Sequence, residues 1–274
     1  MVAIVDTAQV ITDDQRAQYA TDGVICIRSL FTPWIKRLQL AIEKNIEHPG
    51  PLATGKEPGG KNFYSDRYMW TFDSQFRAFV QESPAAAVAG EVMGSRKINI
   101  FLDHLFVKEP GAEQPSPWHQ DSPYWFLAGR QICSVWLALD TVDRSNGILE
   151  FVRGSHRWSK RFEPINFKSR VSYYSQPEFE PIPDIEARRE DFEIVSWDME
   201  SGDCLVFDGD IVHGAPGNSH STRRRRALST RWLGDDVMYR ERQGIPQPIR
   251  DPGLKDGEPI TCDLFPVVWS RDAH

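Results

Sequence analysis

Three residues of the sequence have the side chains and the spacing to hold a redox-active metal ion. His119 and Asp121 stand two positions apart in the stretch WHQD, and His213 comes much later, in the stretch DIVHG. Two imidazoles and one carboxylate bind ferrous iron on one face and leave the opposite coordination positions open. We therefore predict an iron site whose metal ligands, and catalytic residues, are His119, Asp121 and His213.

The His-x-Asp spacing has a simple geometric explanation if residues 118–121 form an extended strand. Residues i and i+2 of a strand point to the same side, so His119 and Asp121 can share a metal while Gln120 points away. His213 must then come from a distant strand that the fold lays alongside. A single His-x-Asp pair is weak evidence, and unrelated polar residues in a folded domain are the alternative interpretation.

Helices are predicted only in the first part of the chain. Thr12 and Gln15 form a capping-box pattern that begins a helix, and Gly23 ends that helix. Thr32, followed by a proline, is expected to cap a second helix, and a third spans about residues 83–93. These helices are expected to brace the outside of a sheet.

From residue 97 onward the patterns are those of strands. Short apolar or alternating runs are separated by turns that contain Gly, Pro and Asn, without any βαβ alternation. Helices in front of many short strands indicate a mainly β protein, a β-sandwich or jelly-roll barrel with helical support. The main strands are expected at residues 24–27, 98–108, from 118 onward, 131–140, 148–152, 192–197, 203–207, 211–212 and 223–232.

Two of these strands have unequal faces. In residues 131–140 one face is uniformly apolar, whereas the other mixes small, polar and aromatic groups, among them Trp136, as a pocket lining does. The strand at 223–232 also alternates. Its two faces carry Leu228, Thr230 and Trp232 on one side, and Arg223, Arg225, Ala227, Ser229 and Arg231 on the other.

A chain of this length without an internal linker is expected to form one domain. The charged, Pro-containing stretch 158–190 is expected to be an insertion that covers the pocket, and with Tyr124 and Trp125 it is a candidate for substrate contact. The predicted parts of the single domain 1–274 are helical support at about 10–95, a jelly-roll core at about 96–235 and a C-terminal wrap at 236–274.

Composition narrows the class of protein. The net charge of −7 argues against a general binder of nucleic acids or anionic membranes. The first residues lack the basic and apolar segments of a secretory signal, and no apolar stretch is long enough to span a bilayer, so a cytoplasmic location is expected. The four cysteines form no Cys-x-x-Cys pair and are expected to be reduced thiols.

An ordered series of motifs around the three metal-binding candidates resembles the phytanoyl-CoA dioxygenase family of iron- and 2-oxoglutarate-dependent oxygenases. The resemblance covers roughly residues 10–235, and a chance match of the whole series is remote. The motifs are WHQDSPYW (118–125), NGIL (146–149), GSH (154–156), GD (202–203), HG (213–214) with Asn218, and RRALS (225–229).

The resemblance implies a double-stranded β-helix, the jelly-roll core, with His119, Asp121 and His213 binding Fe(II). It implies 2-oxoglutarate and dioxygen as co-substrates, with an arginine on the last core strand gripping the far carboxylate of 2-oxoglutarate through two parallel hydrogen bonds. The Arg-x-Ala-x-Ser pattern and the strand parity favour Arg225, and its neighbours in the run 223–226 remain alternatives.

Two further residues are candidates for binding the co-substrate. Trp136 matches a tryptophan that lines the 2-oxoglutarate site in the family, and a core tryptophan is the alternative interpretation. His104 lies on the strand before the metal-binding strand and could contact 2-oxoglutarate. His156 belongs to a Gly-Ser-His turn and is expected to be a structural hydrogen-bonding residue.

The implied activity is hydroxylation of an unactivated C–H bond of a small organic molecule, with release of succinate and CO2. The carboxylate of Asp121 favours oxygen transfer over halogenation, because related halogenases have a small residue there. Family membership does not select the substrate, and desaturation, epoxidation and ring formation stay open. The alternatives are a redox-inert cupin-type isomerase or hydrolase and a non-catalytic small-molecule-binding module; the sequence predicts no oligomeric state.

Overall fold

The fold was examined in a computed structural model that describes residues 10–55, 63–167, 169–174, 176–242 and 244–271. The helices are α1 (Asp13–Asp22), α2 (Ile35–Glu47), α3 (Ser74–Glu82) and α4 (Ala85–Met93). The strands are β1 (Val24–Ile27), β2 (Phe63–Arg67), β3 (Lys97–Lys108), β4 (Ser116–His119), β5 (Leu127–Ala128), β6 (Ile132–Ala138), β7 (Glu150–Val152), β8 (Arg161–Phe162), β9 (Phe179–Glu180), β10 (Ile194–Val195), β11 (Cys204–Asp208), β12 (His213–Ala215), β13 (Arg225–Leu233), β14 (Met238–Tyr239) and β15 (Val267–Ser270).

Two antiparallel sheets form the core of the fold. The larger sheet has the order β1-β11-β6-β13-β3, and β2 and β15 pair with different halves of the outer edge of β3. The smaller sheet has the order β10-β7-β12-β4. Phe151 of the smaller sheet packs against Phe207 of the larger sheet, with 5.1 Å between ring centroids, so the two sheets face each other. The predicted mainly β, jelly-roll class is confirmed.

The two faces of the larger sheet pack against different parts of the fold, as the alternation in β6 predicts. Cys133 and Leu137 point outward and share a buried cluster with Leu38, Phe76 and other side chains of the helices. Trp136 and Ala138 point inward and pack with Phe151 of the smaller sheet. The parity of β13 is also as predicted, with Leu228 and Trp232 in the outer cluster and Ala227 in the inner one.

The helix ends follow the sequence in part. The capping box of α1 is present, and Gly23 ends the helix with φ of +79°. Thr32 does not cap α2, since it lies inside a 3₁₀ turn, Thr32–Trp34, that precedes the helix. Helix α3 has no counterpart among the predicted helices; its N-cap Asp73 accepts hydrogen bonds from the backbone N–H groups of Gln75 and Phe76.

The C-terminal stretch, predicted to be an irregular wrap, adds two strands to the fold. β14 pairs with β5, and β15 pairs with the first residues of β3. Both strands are short and lie in a Pro- and charge-rich context, so their extended conformation depends on the sheet edges that they meet. No helix in the described ranges has the length and apolar character needed to cross a bilayer.

Candidate metal centre

The two histidines lie side by side on neighbouring strands of the smaller sheet. His119 is the last residue of β4 and His213 the first of β12, and the antiparallel register pairs them directly. Their ring centroids lie 4.2 Å apart. This pairing delivers the third predicted ligand from a distant part of the chain, as the spacing argument required.

Asp121 reaches the same place through a turn. β4 ends at His119, and Asp121 has helical backbone angles (φ −77°, ψ −45°) at the start of a 3₁₀ turn. The backbone N–H groups of Asp121 and Ser122 both donate to the carbonyl of Gly209, which fixes this turn. The prediction that both residues share one face of an extended strand is therefore wrong, although their side chains do converge.

The residue between the two also has a definite place. Gln120 is buried and donates from its amide to the carbonyls of Lys160 and Asp210, 3.0 and 2.8 Å away. Its amide oxygen accepts a hydrogen bond from the backbone N–H of Phe162. Gln120 points away from the metal-binding candidates, as predicted, and ties the segment after residue 158 to the smaller sheet.

The three side chains offer one donor atom each, and these atoms all lie within 4.8 Å of one another. Nδ1 of His119 lies 2.7 Å from the carbonyl of Pro117, and Nδ1 of His213 lies 3.1 Å from that of Ile211. A carbonyl can only accept, so both Nδ1 atoms carry the proton and both Nε2 lone pairs are free to bind a metal.

The carboxylate of Asp121 uses its two oxygens differently. Oδ1 lies 3.7 Å from Nε2 of His119, whereas Oδ2 accepts from the hydroxyl of Ser134 at 3.2 Å and lies 3.7 Å from Nη2 of Arg231. Burial by itself raises the pKa of Asp121, but Arg231 and the two histidines hold it well below its usual range. Burial, reinforced by His119, lowers the pKa of His213 to about 3.

A cavity of about 350 Å³ opens beside His119 and Asp121. This volume lies at the small end of the range, roughly 300–1,000 Å³, that holds small molecules. Its walls are largely aromatic. The lining comprises Thr54, Ser65, Arg67, Tyr68, Phe101, Leu102, His104, Phe106, His119, Asp121, Tyr124, Trp125, Phe126, Asn166, Phe167, Tyr173, Arg231, Pro246 and Gln247.

The segment after residue 158 covers this cavity. Phe167 and Tyr173 form part of its wall, and the ring of Phe167 lies 4.7 Å from that of His119. The hydroxyl of Tyr124 donates to the carbonyl of Ile165 and accepts from its backbone N–H, so the segment is fastened to the metal-binding side of the cavity. Trp125 lines the cavity as well.

Arg225 lies inside the barrel, and no acidic residue among those that the structure describes forms a hydrogen bond with it. It is 3% exposed, its Nε makes no hydrogen bond within the described part of the chain, and its guanidinium stands 5.5 Å over the ring of Trp136. Burial lowers its pKa to about 10, against the charge of Asp140. Arg225 is not part of the cavity wall. Trp136, over whose ring it stands, shares a strand face with Ser134, the residue that donates to Asp121.

A buried lysine accompanies this arginine. Lys108 is 1% exposed and pairs with Arg225 in the register of β3 and β13, and its Nζ donates to the carbonyl of Pro216. Burial, together with the charge of Arg225, lowers the pKa of Lys108 to about 6. Gly147 (φ +97°) lies against both cations: a Cβ there would stand 3.1 Å from Cδ of Lys108 and 3.4 Å from Nη2 of Arg225.

The other three arginines of the run 223–226 are engaged at the surface of the barrel. Arg223 pairs with Asp143, Arg224 with Glu43 and Glu109, and Arg226 with Glu43 and Asp140. These contacts leave Arg225 as the one member of the run that turns inward. The predicted parity separates it from Arg224 and Arg226, whereas Arg223, which has the same parity, precedes β13 and pairs with Asp143 at the surface.

Of the two remaining histidine candidates, one lies on the cavity wall and the other does not. His104 lines the cavity, with its Nε2 3.2 Å from the hydroxyl of Ser65 and its ring 3.9 Å from that of Phe106. Burial, reinforced by Arg231 and Arg67, holds the pKa of His104 well below its usual range, so the ring is neutral. His156 lies away from the cavity and contacts the end of α1, where its Nε2 is 3.2 Å from the carbonyl of Ala20.

Sequence reasoning missed two cavity residues with charged side chains. The alternation of β13 put Arg231 on the inner face, and this parity was a signal that it belongs with the site. Arg67 gave no comparable signal, because it reaches the cavity only through the pairing of β2 with β3, where Arg67 lies opposite His104.

A jelly roll that carries His-x-Asp and a distal histidine at metal-binding distance has the fold and site of a non-haem iron oxygenase. The sequence matches the family described as phytanoyl-CoA dioxygenase over residues 19–227, and the chain belongs to this family of iron- and 2-oxoglutarate-dependent oxygenases. A probable phytanoyl-CoA dioxygenase of Caenorhabditis elegans is 22% identical over 247 residues, which are 83% of this chain and 77% of that protein. For several further curated relatives the matched stretch spans 42–44% of their length.

Solved structures of low sequence identity share the fold. The non-heme alpha ketoglutarate dependent carbocyclase SnoK from nogalamycin biosynthesis superposes with a TM-score of 0.75 at 22% identity, covering 94% of this chain and 97% of that one. The epimerase SnoN, solved in complex with Fe3+, alpha ketoglutarate and nogalamycin RO, gives 0.73 at 20% identity, covering 94% and 98%.

Proposed function

We propose that this protein is an iron- and 2-oxoglutarate-dependent dioxygenase that hydroxylates an unactivated C–H bond of a small organic molecule. The observation that carries the proposal is the convergence of His119, Asp121 and His213, whose donor atoms lie within 4.8 Å of one another beside an aromatic cavity. Nε2 of each histidine and Oδ1 of Asp121 would bind the iron, and the faces turned away from them stay open for co-substrate and dioxygen.

The donor set fits the metal in its details. Backbone carbonyls fix the tautomer of each histidine, so neither ring has to reorganise before its Nε2 binds. Ser134 and Arg231 occupy Oδ2 of Asp121, which leaves Oδ1 as the oxygen facing His119 and favours binding through a single oxygen. When bound, iron and 2-oxoglutarate supply the oxidising power for attack on the substrate, with succinate and CO2 as co-products.

Arg225 is the residue that we assign to the far carboxylate of 2-oxoglutarate. A guanidinium buried without an anionic partner is costly, and a carboxylate that accepts two parallel hydrogen bonds would remove that cost. Trp136 orients the guanidinium from one side, and Lys108 offers a second donor close by. His104, on the cavity wall, is a further candidate for contact with the co-substrate.

The chain's own residues shield the centre and choose the substrate. Phe167 and Tyr173 of the covering segment, with Tyr124 and Trp125, surround the open side of the metal-binding group and exclude water from it. The arginines at 223, 224 and 226 are held in ion pairs, so they offer no free basic groove for the phosphates of a coenzyme A thioester. A small molecule that fits inside the cavity is therefore the proposed substrate class.

The decisive experiment is anaerobic visible absorption of the purified protein on adding Fe(II) and then 2-oxoglutarate. A charge-transfer band that needs both additions, and that His213→Ala abolishes, is expected. Iron binding without any such band would favour a redox-inert metal enzyme, and failure to bind iron would favour a non-catalytic binding module. Mass analysis of products then separates hydroxylation, with a gain of one oxygen, from ring formation or epimerisation, the activities of the carbocyclase SnoK and the epimerase SnoN.

A further inference from the structure

Two guanidinium groups line the cavity, those of Arg67 and Arg231, whereas Arg225, the residue assigned to 2-oxoglutarate, lies outside its wall. Arg231 extends from β13 and is held between two rings of the wall, 5.8 Å from the centroid of Phe106 and 5.5 Å from that of Trp125. Arg67 ends β2 and also lines the cavity. On β3, His104 pairs with Arg67 of β2 on one side and with Ser229 of β13 on the other. Arg231 lies two residues beyond Ser229 and so on the same face of the sheet, which places the two arginines at neighbouring positions of that face.

Neither guanidinium is neutralised fully by the protein. Arg231 is 6% exposed, lies 3.7 Å from Asp121 and has an Nε without a partner in the described residues. The guanidinium of Arg67 makes no hydrogen bond or ion pair with any residue that the structure describes. Asp121 is the only acidic residue in the described wall of the cavity, and it is already shared with the metal-binding histidines.

The acids next to the wall do not supply the missing charge. Asp66 precedes Arg67 on β2 and therefore points to the opposite face of the sheet, where the amide of Asn45 and the backbone N–H of Gly50 bind its carboxylate outside the cavity wall. Asp103 accepts from the backbone of Trp70, and burial raises the pKa of Asp103 to about 8, so its carboxyl group is largely protonated near neutral pH.

A count of formal charges in the loaded site, which rests on the proposed function, leaves a positive excess. The two charges of Fe(II) are balanced by Asp121 and by the carboxylate of 2-oxoglutarate nearest the metal. The other carboxylate balances Arg225. Lys108 and His104 are largely neutral near pH 7, because burial lowers the pKa of both. Arg67 and Arg231 then remain, in a cavity where unbalanced charge is costly.

We propose that the primary substrate is an anion, a small carboxylic acid whose carboxylate is bound by Arg67 and Arg231 and whose apolar body lies among the aromatic rings of the cavity. A planar carboxylate matches the fork of a guanidinium, and Arg67 and Arg231 line the same cavity from neighbouring positions of one sheet. The walls provided by Phe101, Tyr124 and Phe167 favour an aromatic or alkyl body over a sugar or a peptide.

The test compares acids with neutral molecules of the same shape. Protein loaded anaerobically with Fe(II) and 2-oxoglutarate is titrated with benzoate, 3-phenylpropanoate, indole-3-acetate and octanoate, and with the primary amide of each, while the charge-transfer band is followed. At least one acid is expected to perturb the band with an affinity ten- to a hundredfold above that of its amide, the preference that charge-assisted hydrogen bonds provide.

Variants then assign the preference to a residue. Arg67→Gln is expected to reduce the acid-to-amide preference at least tenfold without weakening 2-oxoglutarate, Arg67→Lys to keep part of it, and Arg240→Gln, at an exposed ion pair with Asp256, to change nothing. Isothermal titration of the acid into protein loaded with Mn(II) and 2-oxoglutarate gives a second readout that does not depend on turnover.

The outcomes separate the two proposals. If no charge-transfer band forms, the proposed function fails before any acid is added. If the band forms and no acid is preferred over its amide, or no acid binds, the assignment of an anionic substrate is overturned while the proposed function stands. If Arg67→Gln weakens 2-oxoglutarate instead of the acid, Arg67 belongs to the co-substrate site and the assignment is likewise overturned.

Discussion

The guanidinium of Arg231 lies 3.7 Å from Oδ2 of Asp121, the same carboxylate oxygen that accepts a hydrogen bond from Ser134. Both partners belong to the larger sheet, on β13 and β6, whereas Asp121 follows the last residue of β4 in the smaller sheet. The contact therefore joins the two sheets at the metal-binding group. Arg231 therefore has the carboxylate of Asp121 on one side and the open, aromatic cavity on the other.

Replacing Arg231 by glutamine is expected to weaken metal binding. Without the cation, burial raises the pKa of Asp121 unopposed by its strongest partner, and a proton competes with the metal for the carboxylate. Loss of a residue that supports a metal ligand typically costs 10–100-fold in metal affinity. Titration of the purified variants with Mn(II) measures the effect, with Arg223→Gln, which precedes β13 and is paired at the surface with Asp143, as the control. Equal affinities in the two variants would refute this role.

Arg225→Gln is expected to weaken the binding of 2-oxoglutarate, because two charge-assisted hydrogen bonds are lost. Such bonds contribute roughly 1.5–3 kcal/mol each, so a loss of at least tenfold in affinity is expected. Arg225→Lys should recover only part of it, since an ammonium group cannot form two parallel hydrogen bonds. The matched control is Arg224→Gln, one position away and held by Glu43 and Glu109 outside the barrel. A larger effect at Arg224 would move the assignment to that residue.

Lys108 is expected to make the stability of the protein depend on pH. Its folded-state pKa of about 6 lies below the usual lysine value, so between these two values the unfolded chain binds more protons and the free energy of unfolding rises with pH. Lys108→Met removes this dependence. The free energy of unfolding of the parent protein should therefore rise relative to that of Lys108→Met, by up to about 1.4 kcal/mol per pH unit from pH 7 to pH 9.

Urea unfolding of both proteins at pH 7, 8 and 9 measures that difference. The hydrogen bond from Nζ to the carbonyl of Pro216 is also lost in the variant, but this cost does not change with pH, so the slope isolates the titration. Parallel stability curves for the two proteins would show that Lys108 keeps an ordinary pKa in the folded state.

Gly23→Ala is expected to destabilise the protein more than Gly94→Ala. Both glycines end helices with positive φ, +79° and +65°, so both substitutions carry the left-handed backbone penalty of about 1–2 kcal/mol. A Cβ at Gly23 would also stand 2.4 Å from Nδ1 of His156, whereas a Cβ at Gly94 would meet nothing within 4 Å. Thermal unfolding of the single variants and of Gly23→Ala/His156→Ala tests this explanation, since removing the imidazole should bring the two glycine sites to a similar cost.

Patterns between near neighbours in the sequence predicted much of the fold and part of the candidate site. The capping box at Thr12, the glycine at the end of α1 and the alternation in β6 and β13 depend on residues a few positions apart, so they can be read directly. The same alternation separated Arg225 from Arg224 and Arg226, but not from Arg223, which has the same parity. The short apolar runs and their turns were sufficient to predict a mainly β jelly roll.

Only the tertiary structure decided how the candidate site is assembled. Asp121 meets His119 because a turn is fixed by the carbonyl of Gly209, a residue that no local spacing connects to it. Arg67 faces the cavity because β2 pairs with one half of β3, and β15, separated from β3 by more than 150 residues of sequence, pairs with the other half. Periodicity determines which face of a strand a side chain occupies, but the register between distant strands determines what that side chain meets, and register depends on the packing of the whole chain.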